Sequence, residues 1–252
     1  MEHPPLVSVI MPSYNAARYI ADSIVSVLNQ TYSHWELLIT DDCSTDDTVA
    51  IARSFAEQDA RIQLKVAEHH SGIANTRNHS LLRLQGRYFA FLDNDDLWVP
   101  EKLEKQVRFM MENDYAFSYS EYELMKEDGT SKGKIIKTAG VIDYNKYLRN
   151  TIIGSGTIML DREKTSPLTM PENATSDDMA LWCQILKKGH CAYPIQEVLM
   201  KYRVRNNSAS ANKWKAARDV WRVYRNQEHL SIPFALWCFA GYAWNAVVKR
   251  IF

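Results

Sequence analysis

The run Tyr88-Phe89-Ala90-Phe91-Leu92-Asp93-Asn94-Asp95-Asp96-Leu97-Trp98 decides how this chain is read. Tyr88 to Leu92 have the continuous apolar character of a strand buried on both faces. Three carboxylates and an amide follow at once. Carboxylates crowded at a strand end repel one another unless a cation joins them, and a hard divalent ion that also holds nucleotide phosphates is one solution. Taken alone, the run reads equally as an acidic turn with an aspartate capping the next helix.

The upstream sequence repeats the same grammar. Val7 to Met11 read as a buried strand broken by Pro12, and Ile20, Ile24, Val27 and Leu28 recur at helical spacing. Trp35 to Ile39 form a second strand ending in Asp41-Asp42. Ser44-Thr45-Asp46 can cap a helix carrying Val49, Ile51, Ala52 and Phe55. Ile62, Leu64 and Val66 alternate as a third strand. Gly72 to Leu84 read as a helix, with Gly86 as its C-cap. Pro100 sits where a helix can begin, continuing from Glu101 to Met111. Strand-helix alternation predicts an α/β fold, a mostly parallel sheet with helices on both faces. Ligands in such sheets bind beyond the carboxyl ends of the strands. Pro12 to Asn15, Asp41-Asp42 and Asp93 to Asp96 all fall there. Neither a Gly-x-Gly-x-x-Gly nor a Walker-type loop occurs, so a cation must take up more of any phosphate charge.

The later sequence is less regular. Glu127 to Thr130 read as a hairpin turn, and Gly154-Ser155-Gly156-Thr157 precede a strand at Ile158 to Leu160. Ser176-Asp177-Asp178 open a helix with Met179, Leu181, Trp182, Ile185 and Leu186 on its apolar positions, closed by Gly189. Both acids suit the positive end of the helix dipole, and capping alone would account for them.

Lys+Arg and Asp+Glu balance at 30 each, but unevenly. From Lys201 onward there are ten basic residues against two acidic ones. An acidic body argues against nucleic-acid binding, and a basic tail fits an anionic surface such as a membrane. Trp214 to Leu230 form a basic, aromatic, amphipathic stretch. Ile232 to Val248 are 17 almost wholly apolar residues, short for a membrane span and rich in Trp. An interfacial helix is the favoured reading over a span, and a helix packed on the body is the alternative. The four cysteines have no zinc-ligand spacing, and Met1 to Pro5 lead straight into a strand without a signal-like segment. Free thiols in a reducing cytoplasm are expected.

Val7-Ser8-Val9-Ile10-Met11-Pro12-Ser13-Tyr14-Asn15 resembles the opening strand of the family 2 inverting glycosyltransferases. Asp41 to Asp46 resemble its second signature, Gly72 to Asn78 its third, Phe91 to Asp96 its metal-binding Asp-x-Asp, and Asp177 to Trp182 the acidic pair carrying its catalytic base. The five elements stand in the family's order over roughly residues 6 to 210.

The resemblance implies a GT-A fold over residues 1–210, with a nucleotide-sugar half (1–110) and an acceptor half (111–210), followed by a helical basic and aromatic tail (211–252). It implies that Pro12 and Tyr14 line a nucleobase slot. Asp41 and Asp42 would accept hydrogen bonds from uracil or ribose, Arg77 would approach the diphosphate, and Asp93 the ribose. Asp95 would bind Mn²⁺ or Mg²⁺. Asp178 would be the base, with Asp177 beside it. Arg203 and Arg205 resemble part of the segment that closes over the donor and would contact a diphosphate. Cys43 stands where glycine is frequent, which puts the shape of that loop in question.

Length and tail together resemble bacterial enzymes of O-antigen and surface-polysaccharide assembly. These are expected on the cytoplasmic side, peripheral to the inner membrane, with a UDP-sugar donor and a lipid-diphosphate-linked sugar acceptor. Glucose transfer from UDP-glucose in a β1,3 linkage to GlcNAc-diphospho-undecaprenol is the specific expectation. UDP-galactose on the same acceptor is the alternative. A nucleotidyltransferase or an inactive sugar-nucleotide-binding module represents other classes.

Overall fold

In the computed structural model, which describes residues 4–171, 176–205 and 213–251, the expected alternation is present over the first hundred residues. The elements are β1 (Val7–Ser13), α1 (Ile20–Leu28), β2 (Trp35–Asp41), α2 (Thr48–Gln58), β3 (Ile62–Val66), α3 (Ile73–Leu81) and β4 (Tyr88–Phe91). They build a parallel sheet in the order β3-β2-β1-β4. Each strand is read twice by the packing. Val7, Val9 and Met11 face a core shared with Ile20, Ile24 and Val27 of α1. Ile10, Phe89 and Phe91 face a second core on the other side. Burial on both faces is why these strands are continuous apolar runs.

The acidic run leads into β5 (Leu97–Trp98), α4 (Lys102–Asn113), β6 (Phe117–Met125), β7 (Ser131–Ile136), α5 (Tyr144–Arg149), β8 (Ile158–Asp161), α6 (Arg162–Thr165), α7 (Asp177–Lys187) and β9 (Tyr193–Arg203). These extend the same sheet through β8, β6, β9 and β5, with β7 pairing β6. Here the pairings are mainly antiparallel; β6 and β9 are the parallel pair. The sheet is therefore mixed, parallel in its first half and largely antiparallel beyond β4. The long β9 doubles back beside β5, so that its carboxyl end returns to the acidic run.

Two local expectations are corrected. α3 ends at Leu81, and Gly86 is not its cap. A Cβ at Gly86 would lie 2.6 Å from the Leu6 carbonyl oxygen and 2.7 Å from the Ser8 nitrogen, so glycine is required for two backbones to pass. Asp96 does not cap the next helix, which begins at Lys102. Its Oδ1 accepts from the Arg203 backbone N–H at 2.8 Å and fastens the end of β9.

The tail forms α8 (Lys213–Arg222), a π-helical turn (Val223–Gln227) and α9 (Ile232–Ile251). Val220, Val223, Tyr224, Ala235 and Cys238 are buried in the core that also holds Trp182. One face of the tail is thus part of the body. The opposite face of α9 leaves Ile232, Leu236, Trp237 and Trp244 more than half exposed. No helix among the described residues is long and apolar enough to cross a membrane. The expected boundary at 210/211 lies outside the described residues.

Candidate active site

The parallel register brings the expected motifs to one edge. Ser13 pairs with Asp41, and Ile10 pairs with Phe91, two residues before Asp93. The first two motifs then lock together. Asp41 Oδ2 accepts from Ser13 Oγ at 2.9 Å and from Ser44 Oγ at 2.6 Å. Asn15 Oδ1 accepts from the Thr45 N–H at 2.8 Å, and Thr48 Oγ1 accepts from the Ala16 N–H at 2.7 Å. Asp42 Oδ1 accepts from the Ser71 N–H and Oδ2 from the Gly72 N–H, each at 2.8 Å, which anchors the start of α3. Asp41 and Asp42 are both buried. Both were expected to receive a nucleotide, and in this structure their side chains shape the loops. Cys43 takes φ +63°, the left-handed conformation that favours glycine, so its loop keeps the turn that glycine would allow.

Tyr14 stays exposed, and its ring lies 4.6 Å from that of His70 with the planes tilted by 41°. Pro12 is buried behind it, with its carbonyl accepting from Asn94 Nδ2 at 3.1 Å. Sequence reasoning missed His70. Its one signal was its place just before the Ser71-Gly72 entry to α3.

The centre of the site is an ionic cluster. Arg77 is 2 % exposed, and its Nη2 meets Asp93 Oδ1 at 2.7 Å. Its Nη1 pairs with Asp178 Oδ1 and lies 3.7 Å from Asp177 Oδ2. Arg77, expected at a diphosphate, holds Asp93 against the first turn of α7. Burial opposes its charge, but Asp178, Asp93 and Asp177 outweigh that and hold its pKa above the ordinary value. Trp182, fully buried 6.0 Å from the Phe91 ring, fixes α7 to the sheet beneath.

Asp178 Oδ2 also accepts from Ser155 Oγ. Ser155 sits on a 3₁₀ turn (Ser155–Thr157) held from below. Trp98 Nε1 donates to the Gly156 carbonyl at 2.9 Å, and Gln106 Nε2 and Lys102 Nζ donate to that of Thr157 at 3.0 and 3.2 Å. Lys102 is fully buried, which pushes its pKa well below the ordinary lysine value. Ser155, Lys102 and Gln106 were also missed. The signal for the last two is polar residues, four apart, on the core-facing stripe of α4.

Burial, and then Asp93, raise the Asp95 carboxyl to about 6, against the pull of Arg205. Arg205 Nε stands 2.7 Å from Asp95 Oδ2. Asp96 is pushed well above the usual carboxylate range by burial and then by Asp95, and its Oδ2 has no hydrogen-bond partner. Burial, then Asp178, raise Asp177 to about 6. Arg203, expected at a diphosphate, is buried and spends its Nε on the Asp95 carbonyl at 2.7 Å and its Nη1 on that of Glu127 at 2.8 Å. Only Arg205 of the two is half-exposed beside the acidic turn. No group of three or more acidic, His or Cys side chains among the described residues forms a cation cage. The donors instead suit a cation held by one carboxylate, Asp95, with the remaining positions left to phosphate and water, as magnesium-type ions prefer. Arg205, a cation already drawn to Asp95, marks the demand for positive charge there.

A cleft of about 660 Å³ opens beside this cluster, with Asp93, Asp96 and Asp178 in its lining. Tyr122 and Tyr202 line its wall with ring centroids 6.0 Å apart. Tyr14, His70 and Asp95 lie outside it, so the site has a strand-end edge and a separate cleft that meet at Asp93.

Residues 8–166 match the family described as Glycosyl transferase family 2. The chain belongs to that family. It is 52% identical over 247 residues, covering 98% of both chains, to TuaG of Bacillus subtilis (strain 168), provisionally named as a teichuronic acid biosynthesis glycosyltransferase. It is 42% identical over 219 residues (86% of this chain, 85% of the relative) to WfgD of Escherichia coli, named as a UDP-Glc:alpha-D-GlcNAc-diphosphoundecaprenol beta-1,3-glucosyltransferase. The fold matches that of the mannosyltransferase PcManGT from Pyrobaculum calidifontis, solved with GDP-Man and Mn²⁺, at a TM-score of 0.73 and 19% identity over 98% of this chain and 71% of that one. The protein is thus a family 2 glycosyltransferase with a GT-A-like mixed sheet.

Proposed function

We propose that this enzyme moves glucose from UDP-glucose, with inversion, to a hydroxyl of a GlcNAc-diphospho-undecaprenol acceptor, forming a β1,3 bond. The observation that carries the reading is the Arg77 bridge, which joins the strand-end acid Asp93 to Asp178 within one cleft. WfgD, whose name states this reaction, supports the choice of sugar and acceptor.

Tyr14 and His70 offer two ring faces to a nucleobase over Pro12. Asp93 accepts from ribose while Arg77 fixes its orientation. Asp95 would hold Mn²⁺ or Mg²⁺, which when bound would neutralise charge on the departing diphosphate. Arg205, 2.7 Å from Asp95, would contact the diphosphate beside that ion. Asp178 is the base. Its two oxygens each carry one hydrogen bond, to Arg77 and Ser155, and each keeps a further lone pair. The acceptor hydroxyl oxygen bonds to the anomeric carbon as the bond from that carbon to the diphosphate breaks. Asp178 takes the proton, and UDP leaves with the bonding electrons. Asp177 stays behind Arg77 as a neighbour of the base.

The acceptor's lipid places the reaction at a membrane surface. The exposed apolar face of α9, with Arg149 packed 4.6 Å over the Trp237 ring, and the basic residues of α8 give an interfacial docking face. The enzyme then works peripherally at the inner face of the bacterial inner membrane.

The test is product analysis by mass spectrometry and NMR, with UDP-glucose and UDP-galactose offered alongside a GlcNAc-diphospho-lipid. A β1,3-glucosyl product is expected; a galactosyl product would replace the donor assignment. Asp178→Asn should lower kcat ~10²–10⁴-fold with UDP binding retained, and normal turnover would remove Asp178 as base.

A further inference from the structure

The cleft extends beyond the carboxylates to elements that carry none of the family signatures. Its lining includes Tyr242, Asn245 and Ala246 of α9, Lys134 of β7 and Asn150 just after α5. α9 is locked into that position. Asn245 Nδ2 donates to the Arg149 carbonyl at 3.1 Å, and a Cβ at Gly241 would lie 3.0 Å from the Arg149 Cβ. Positions 242, 245 and 246 fall on one side of the helix; 236, 237 and 244 fall on the other. One helix therefore closes the cleft with its inner side and turns an apolar face outward.

Asp93, Asp96 and Asp178 are the acidic lining residues, and Lys134, on β7 two strands from β9, is the one cationic side chain among the described lining residues. An anionic group on a ligand is repelled from the carboxylates and drawn toward Lys134. Tyr122 and Tyr202, in the same lining, present aromatic surface suited to a sugar ring.

We propose that β7 and the last turns of α9 form the subsite for the diphosphate of the lipid-linked acceptor, with Lys134 as its charge partner. Resting on the acceptor reading above, this orients the acceptor. Its sugar lies along the tyrosines with a hydroxyl at Asp178, its phosphates lie between Lys134 and α9, and its lipid leaves past a helix whose outer face is apolar. The tail is then part of the acceptor site as well as a docking element.

The experiment compares two soluble acceptors, a short-chain alkyl GlcNAc-diphosphate and the matching alkyl glycoside without phosphates. Wild type should prefer the diphosphate. Lys134→Ala should lower the ratio of kcat/KM for the diphosphate over the neutral acceptor ~10-fold or more, mainly through KM, as expected for loss of a charge-assisted contact. Lys134→Arg should restore most of it. Ala246→Trp, which narrows the α9 side, should act on the same ratio. Thermal unfolding and calorimetric UDP binding verify that each variant is folded. An unchanged ratio in both Lys134→Ala and Ala246→Trp overturns the subsite while leaving the acceptor reading intact. A wild-type enzyme that glycosylates neither acceptor overturns the acceptor reading, and the subsite with it.

Discussion

Replacing Arg77 with Met removes the cation on which the site is assembled and little else. The methionine occupies the volume of the arginine stem, so the cavity term is small. What is lost is the contact with Asp93 at 2.7 Å, the pairing with Asp178 and the weaker one with Asp177 at 3.7 Å. Breaking a buried ion pair by deleting one partner costs ~3–5 kcal/mol. Asp93 and Asp178 are 31% and 35% exposed, so water screens part of their repulsion, and ~2–4 kcal/mol is the expected loss at about neutral pH. The sign with pH follows from the carboxylates. Burial, and then Asp178, already hold Asp177 at about 6 against the pull of Arg77. Without that pull, its folded pKa rises further above the unfolded value of 3.8. A carboxyl whose folded pKa is raised is least costly below the unfolded pKa and destabilises as pH climbs through the folded one. The penalty of Arg77→Met should therefore be largest near pH ~7.5 and shrink to ~1 kcal/mol or less near pH ~4. Urea unfolding across that range measures it, and the double variant Arg77→Met/Asp177→Asn should recover part of the loss. A penalty under ~0.5 kcal/mol at pH ~7.5, or one equal at both ends, would refute the bridge.

The same logic makes Asp177→Asn in the wild-type background a stabilising change at neutral pH. A shift from 3.8 to about 6 is worth at most ~3 kcal/mol, present near pH ~7 and absent near pH ~4, and a pH-independent effect in denaturant titrations would contradict it. Cys43→Gly should stabilise by ~0.5–1 kcal/mol by relieving the φ +63° conformation; a lower Tm would mean that the Cys43 thiol contact with the Ala67 carbonyl outweighs the strain. Gly86→Ala should cost ~3 kcal/mol or more, because the new Cβ meets fixed backbone rather than a flexible side chain, and a variant melting like wild type would show that β1 and β4 can separate there. The double change Trp237→Ser/Trp244→Ser should weaken binding to anionic vesicles while leaving Tm nearly unchanged, since both rings are more than half exposed; undiminished sedimentation with vesicles would reject the docking face.

The first half of the fold was legible because burial on both faces forces unbroken apolar strands and α1 keeps strict helical spacing. The second half was not, for the same physical reason turned round. Ser118 and Ser120 of β6 are buried polar residues, and Gln196, Glu197 and Lys201 interrupt β9, so neither strand announces itself as a hydrophobic run. Gly86 shows a subtler failure. Helix spacing and a following glycine suggest a cap, whereas the glycine answers to a backbone from the far end of the chain, which no local pattern encodes.

The candidate site divides along a similar line. Local motifs identified where acids accumulate, but the division of labour among those acids depends on what reaches each one from elsewhere in the chain. Asp41 and Asp42 are as acidic in sequence as Asp93 and Asp95, and serine hydroxyls and backbone N–H groups within reach also tie them to the loops. Asp96 is claimed by the end of β9. Asp93 and Asp178 are left at the cleft because their shared partner, Arg77, binds them from behind and leaves about a third of each side chain open to water. Arg77 also explains how a mixed sheet can carry one site. It rises from α3, in the parallel half, and closes on α7, in the other half. A motion that separates α3 from α7 breaks this cluster, so on the reading proposed above the acid assigned to the nucleotide sugar and the acid assigned to the acceptor are held together.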